Sequence, residues 1–157
     1  MLIRGLIEED FVNYKKASMF IVFPTCTFKC EKDCGIKCCQ NSEVAKSAAI
    51  EIDIRLLVDR YIDNPITHAV VCGGLEPFDS WDDLYRFISA LREKTDDDIV
   101  IYTGYNKNEI LKEIRMLREF SNIIIKFGRF KPNDAHRFDE ILGVELASAN
   151  QYAEKIS

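Results

Sequence analysis

The sequence predicts an α/β fold, an open partial (βα) barrel built on a mainly parallel sheet. Three observations carry that expectation. Short apolar, β-prone runs alternate along the chain with amphipathic helical segments. Each run leads into a loop rich in Cys, Gly, Asn or Thr, and parallel α/β folds gather ligands at such strand ends. A full eight-unit barrel typically needs ~250 residues, so a chain of 157 leaves the barrel open. That length fits one domain over residues 1–157, enough to bury a real core.

The first predicted strand is Ser18-Met-Phe-Ile-Val-Phe23, apolar and ended by Pro24. A helix over Asp53–Asp63 sets Ile54, Leu57, Val58, Tyr61 and Ile62 on one face and stops at Asn64-Pro65. Thr67–Cys72 reads as a second buried strand running into Gly73-Gly74. Ser80 with Asp83 has the layout of a capping box, and Leu84, Phe87, Ile88 and Leu91 form the buried stripe of the helix behind it. Ile99–Tyr102 is the third strand. Asn106 with Glu109 caps a helix carrying Ile110, Ile114 and Leu117. Asn122–Lys126 is the fourth strand and Gly143–Ala147 the last. The polar, Pro-containing stretch Lys131–Asp139 reads as a surface loop, and Asp96-Asp-Asp98 as a solvated turn. Right-handed crossovers should join the strands.

A formal charge of −5 gives no electrostatic reason to expect nucleic acid or an anionic membrane as partner. No apolar run approaches the ~18 residues of a membrane span. The start lacks the basic-then-apolar layout of a secretory signal, so a cytoplasmic protein is expected. In a reducing cytosol, clustered cysteines point to metal or redox chemistry rather than disulfides. Five of the six cysteines fall between Cys26 and Cys39. The sixth, Cys72, ends a strand and reads as a small packing residue. His68 and His136 have no metal-type spacing, and a structural role is the default.

The loop reads Pro24-Thr-Cys26-Thr-Phe-Lys-Cys30-Glu-Lys-Asp-Cys34-Gly-Ile-Lys-Cys38-Cys39-Gln-Asn41. Thiolates are soft ligands suited to zinc or to iron–sulfur clusters. A structural zinc site shows two close cysteine pairs with a longer spacer. Here Cys26, Cys30, Cys34 and Cys38 recur at four-residue steps without a second knuckle. The spacing favours wrapping a cuboidal cluster, with zinc and redox cysteines as the alternatives.

The loop resembles the signature of radical S-adenosylmethionine enzymes, in particular the small activating proteins of anaerobic ribonucleotide reductase. That signature has three cysteines, with three residues between the first two and two between the next. Cys26 and Cys30 match the first pair, and Cys39-Gln40-Asn41 resembles the third cysteine with its Asn. The two-residue gap is replaced here by Glu31 to Cys38, an insertion whose closure costs little extra entropy. The third ligand is ranked Cys39 first, Cys34 second and Cys38 third. The resemblance implies a 4Fe-4S cluster whose fourth iron chelates S-adenosylmethionine, the cofactor carrying the hard chemistry.

Four further stretches extend the resemblance as far as Gln151. Cys72-Gly-Gly-Leu-Glu-Pro77 is similar to a Gly-Gly-Glu-Pro element with Leu75 inserted. Tyr102-Thr-Gly-Tyr105 and Phe127-Gly-Arg-Phe130 look like activator motifs, although Lys126-Phe127 stands where an acid is expected. Ala147-Ser-Ala-Asn-Gln151 is similar to a Ser-Ser-Asn-Gln stretch. The implied S-adenosylmethionine-binding residues are Gly73, Gly74, Glu76, Thr103 and Asn150. The implied partner is a large glycyl radical enzyme, with ferredoxin or flavodoxin as electron donor. The activators' Asn-Gly-rich element before the first strand is replaced by Phe11-Val-Asn-Tyr14. The alternatives are a radical enzyme acting on a small molecule or peptide, similar to a deazaguanine synthase, and a non-catalytic metal-binding module.

Overall fold

Strands whose every residue is apolar on both faces must be covered on both sides, and this requirement arranges the chain. The computed structural model describes residues 1–157. In chain order the strands are β1 Leu2–Ile3, β2 Gly5–Asp10, β3 Ser18–Val22, β4 Ile50–Glu51, β5 Ala69–Gly73, β6 Asp98–Tyr102, β7 Ile123–Phe127, β8 Arg137–Asp139, β9 Val144–Leu146 and β10 Tyr152–Lys155. The helices are α1 Lys29–Cys34, α2 Ile54–Ile62, α3 Trp81–Arg92 and α4 Leu111–Leu117.

Six strands form one open sheet in the order β10-β7-β6-β5-β3-β2. The four central strands β3, β5, β6 and β7 are parallel, and the edge strands β2 and β10 are antiparallel. Every residue of β5 and β7 is buried. The outer face carries Ile21, Val70, Cys72, Ile99, Ile101, Ile123 and Ile125, packed against the stripes of α2, α3 and α4. Cys72 is fully buried there, as its strand position predicts. The inner face carries Val71, Val100 and Ile124, covered by Tyr14, Leu142 and Leu146. This is the open, mostly parallel architecture that the alternation of elements implies.

The helix stripes fall where their periodicity places them. Asp53 caps α2 by accepting the Arg55 N–H at 2.7 Å, and Ile54, Leu57, Val58 and Tyr61 are buried, whereas Ile62 stays exposed at the helix end. Leu84, Phe87, Ile88 and Leu91 of α3 are all inaccessible to solvent. Ile110, Ile114 and Leu117 are buried as well, behind an N-terminus where the Asn106 N–H donates to Glu109 at 2.8 Å.

Several local expectations are corrected. Ser80 and Asp83 form no capping box: the Ser80 hydroxyl shares a hydrogen bond with Thr25 at 2.9 Å, and Asp83 accepts the Leu2 N–H. Long-range partners have taken both side chains. The last strand of the sheet is β10, not Gly143–Ala147. β9 instead pairs with β8 in a separate ribbon, so Lys131–Asp139 is only partly loop. Of the predicted solvated turn, Asp97 accepts the Tyr61 hydroxyl at 2.6 Å and Asp98 accepts that of Tyr14 at 2.9 Å. His68 and His136 are both exposed and stand in no metal-type cluster, and His136 lies 3.5 Å from Glu145. No helix is long and apolar enough to cross a membrane.

The α3 stripe contributes four side chains without solvent exposure to the outer-face core. Phe87→Ala should lower the unfolding free energy in urea by ~3–5 kcal/mol, the range for truncating a fully buried aromatic. A loss below about 1 kcal/mol would contradict this packing.

Candidate metal centre

Parallel strands bring all their carboxyl ends to one edge, so the loops that follow β3, β5, β6 and β7 meet there. They enclose a cavity of about 580 Å³ whose wall includes Cys26, Cys30, Cys39, Glu76, Lys126 and Gln151. A larger groove of about 1040 Å³ runs between α2 and α3, lined by Asp53, Arg55, Asp59, Arg86, Glu93 and Lys94 among others. It holds no thiol and none of the turns that follow β3, β5, β6 and β7, so the chemistry belongs to the smaller cavity.

The cysteine loop is anchored along its length. Its first turn is tied by the Glu76 N–H, which donates to the Thr25 carbonyl at 2.8 Å, and by the Thr27 N–H, which donates to Asp79 at 2.7 Å. Phe28 adopts a left-handed conformation (φ 53°) to start the six-residue helix α1. Arg129 clamps that helix, contacting Asp33 at 2.8 Å and pairing with Glu109 at 2.7 Å through two nitrogens. On the return, the Cys39 N–H donates to Glu31 at 3.1 Å, and the Asn41 side chain donates to the Gly74 carbonyl.

This folding divides the five loop cysteines. Cys26, Cys30 and Cys39 face the cavity. Cys34 lies one helical turn beyond Cys30 and meets Cys38 instead, sulfur to sulfur at 3.0 Å, away from the cavity wall. No three His, Cys, Asp or Glu side chains converge closely enough to hold a single ion. The three cavity thiols stand around a space rather than upon a point. Burial pushes the Cys26 thiol up to about 12, and the Phe28 N–H, 3.2 Å from its sulfur, opposes that rise. Burial also raises Cys39, with the negative charges of Cys30 and Glu31 adding to it.

Glu76 is the most connected acid of the site. It is 5 % exposed, and one oxygen accepts the Thr103 hydroxyl at 2.7 Å and the Phe78 N–H at 3.2 Å. The other accepts the Gly104 N–H at 2.8 Å. Burial lifts its carboxyl to about 7, against the pull of those hydrogen bonds. Thr103 lies in the cavity wall, its hydroxyl donating to Glu76 and accepting the Tyr105 N–H. Gly74 is in the wall too, at φ +79°, and a Cβ there would lie 2.5 Å from Val22 Cγ1. A side chain at Gly74 would therefore strike strand β3 rather than enter the cavity. Gly73 is outside the wall, packed between the Phe20 ring and Tyr102. Asn150 is also outside it, donating to the Arg129 carbonyl at 3.0 Å, while its neighbour Gln151 lines the cavity and donates to Gly128 at 3.2 Å.

Sequence reasoning missed Lys126, Gln151 and the Arg129 clamp. Lys126 carries a readable signal, since a lysine interrupts the otherwise apolar run Ile123-Ile-Ile-Lys-Phe127. Burial draws its ammonium down to about 8, opposed by the nearby charges of Glu76 and Cys30.

The fold and site together define a thiolate-lined cavity at the carboxyl ends of a parallel α/β sheet. Residues 15–151 match the family described as the 4Fe-4S single cluster domain. The chain belongs to that family, a 4Fe-4S cluster domain of the radical S-adenosylmethionine type. No curated protein and no solved structure matches it. The residues present fit the group: three soft thiols share one cavity, its wall otherwise largely apolar, with nothing built to hold one ion.

The Glu76 carboxyl binds its proton more tightly in the fold, at about 7, than at its ordinary 4.5. Its contribution to stability is then fully present below pH 4.5, declines as pH rises, and is gone above about 7. Before iron and sulfide are supplied, Glu76→Gln should flatten that decline in the urea midpoint. An unaltered slope between pH 4.5 and 7 would place the carboxyl elsewhere.

Proposed function

We propose that Cys26, Cys30 and Cys39 hold a 4Fe-4S cluster, and that the chain uses it to cleave S-adenosylmethionine and generate a glycyl radical on a protein partner. One observation carries the reading: these three thiols alone among the loop cysteines face the strand-end cavity, while Cys34 and Cys38 turn to each other. The chemistry such a cluster supplies is one-electron reduction of the sulfonium, giving methionine and a 5′-deoxyadenosyl radical that abstracts hydrogen.

The chain's own residues prepare the site. Loading must draw protons from Cys26 and Cys39, whose burial otherwise keeps them protonated. Glu76 locks the turn of Gly74 to that of Thr103 and Gly104, leaving the cavity wall in place before any ligand enters. Phe20, Val22, Leu75, Phe130 and Leu146 make much of the wall apolar, which favours exclusion of water from a reactive radical. Ile7 and Val12 form an exposed apolar rim at the cavity, with Phe11 exposed beside them. That rim suits a protein segment bearing the target glycine, such as one from an anaerobic ribonucleotide reductase. Ferredoxin or flavodoxin would supply the electron.

Anaerobic reconstitution followed by iron and sulfide analysis tests the ligand set. Wild type, Cys34→Ser and Cys38→Ser should each hold about four irons, and Cys26→Ser, Cys30→Ser and Cys39→Ser should not. Reduced wild type should then release 5′-deoxyadenosine and methionine from S-adenosylmethionine. Adding the glycyl-radical partner should speed release and raise a glycine-centred signal in electron paramagnetic resonance. Stoichiometric zinc without iron would end the cluster reading. Cleavage that no protein accelerates would shift the target to a small molecule.

A further inference from the structure

Cys34 and Cys38 take no part in the wall of the cavity. Cys34 is the last residue of α1, and Gly35 follows it in the left-handed conformation at φ 71°. The chain turns back there through Ile36 and Lys37, and the sulfur of Cys38 meets that of Cys34 at 3.0 Å. Each thiol is held from a neighbouring residue. Arg129 holds Asp33, just before Cys34, at 2.8 Å, and Glu31 accepts the N–H of Cys39, just after Cys38, at 3.1 Å. Both cysteines are half-buried and the residues between them are exposed, whereas the packing residue Cys72 is fully buried. No third Cys, His, Asp or Glu converges on the two sulfurs to complete a metal site.

Thiols held in contact, reached by solvent and lacking a further ligand suit reversible closure to a disulfide. In a reducing compartment such pairs are transient and act as redox sites rather than as structural staples. We propose that Cys34 and Cys38 form a redox-active dithiol, which exchanges with disulfide oxidants ahead of the cavity thiols. One thiol of the pair attacks a sulfur of the oxidant, breaks its S–S bond and passes a proton to the half that leaves. The other thiol then attacks the mixed disulfide at the protein sulfur, and the second half leaves with the second proton. One S–S bond has formed in the protein and one has broken in the oxidant, which has taken up two electrons and become two thiols. The pair has precedence because its sulfurs touch, whereas Cys26, Cys30 and Cys39 line the cavity with no thiol–thiol hydrogen bond among them. Oxidising equivalents that reach the loop are taken up within the insertion, and the cavity thiols stay reduced.

This exchange requires no cluster, so the metal-free chain tests it independently. The full chain is treated anaerobically with one equivalent of glutathione disulfide, and the remaining thiols are alkylated and mapped by mass spectrometry. Wild type should release both halves of the oxidant and carry a Cys34–Cys38 disulfide, with Cys26, Cys30 and Cys39 alkylated as in untreated protein. In Cys34→Ser and Cys38→Ser, release of the second half should slow about 10-fold or more, because no contacting thiol is left to displace it. A first disulfide that includes Cys26, Cys30 or Cys39 would overturn the proposal. So would serine variants that release the second half as fast as wild type, or full alkylation of Cys34 and Cys38 under excess oxidant. In protein loaded with iron and sulfide the pair should close with the iron content unchanged. Iron lost in step with closure would make one of the two sulfurs a ligand and overturn the assignment. Closure of the pair in a chain that takes up no iron would support this site while overturning the cluster reading.

Discussion

The strand-end edge of this protein depends on one buried carboxylate. Glu76 ties its own turn, through Phe78, to the turn after β6, through Thr103 and Gly104. Its backbone N–H holds the first residues of the cysteine loop through Thr25. Three separate stretches of chain are thereby brought to one place by a single residue. Asp79 reinforces the arrangement, accepting from the Thr27 N–H at 2.7 Å and the Tyr105 hydroxyl at 2.6 Å. Short loops on a rigid parallel sheet can hold a reactive centre only if something stops them splaying, and these hydrogen bonds do so.

The arrangement is not the most stable one available. A carboxyl lifted to about 7 and an ammonium drawn down to about 8 are both burdened by burial. Apolar neighbours would fill the same space with less strain on solvation. The fully buried strands β5 and β7, with the outer-face core, provide the surplus that tolerates this. Local choices that oppose stability at the end of an otherwise consistent sheet mark the part of the molecule that acts.

Much of the architecture is legible in the sequence because it rests on local signals. Four apolar runs and three helix stripes carry signals that no distant contact overrides, and Cys26 and Cys30 stand out by spacing, with Cys39 added by the resemblance. What escapes depends on distant partners. Ser80 looks like a cap until Thr25, far off in sequence, takes its hydroxyl. β10 reads poorly because only Ala153 of its four residues is buried, and its anchor is the Ala153 N–H donating to Asp139 at 2.8 Å. Asn150 and Gln151 are adjacent in a motif, yet the turn sends only the glutamine to the cavity. The separation of Cys34 and Cys38 from the other thiols follows from the short helix α1 and its clamp on Arg129, neither of which spacing reveals.

The central claim is that three cavity thiols hold a cluster with one iron left for S-adenosylmethionine. Electron paramagnetic resonance of the anaerobically loaded, reduced protein tests it most directly. The account predicts a 4Fe-4S signal whose g-values shift when S-adenosylmethionine is added, and which no longer forms in Cys39→Ser. A 4Fe-4S signal that S-adenosylmethionine leaves unchanged, or one that persists without Cys39, would contradict it.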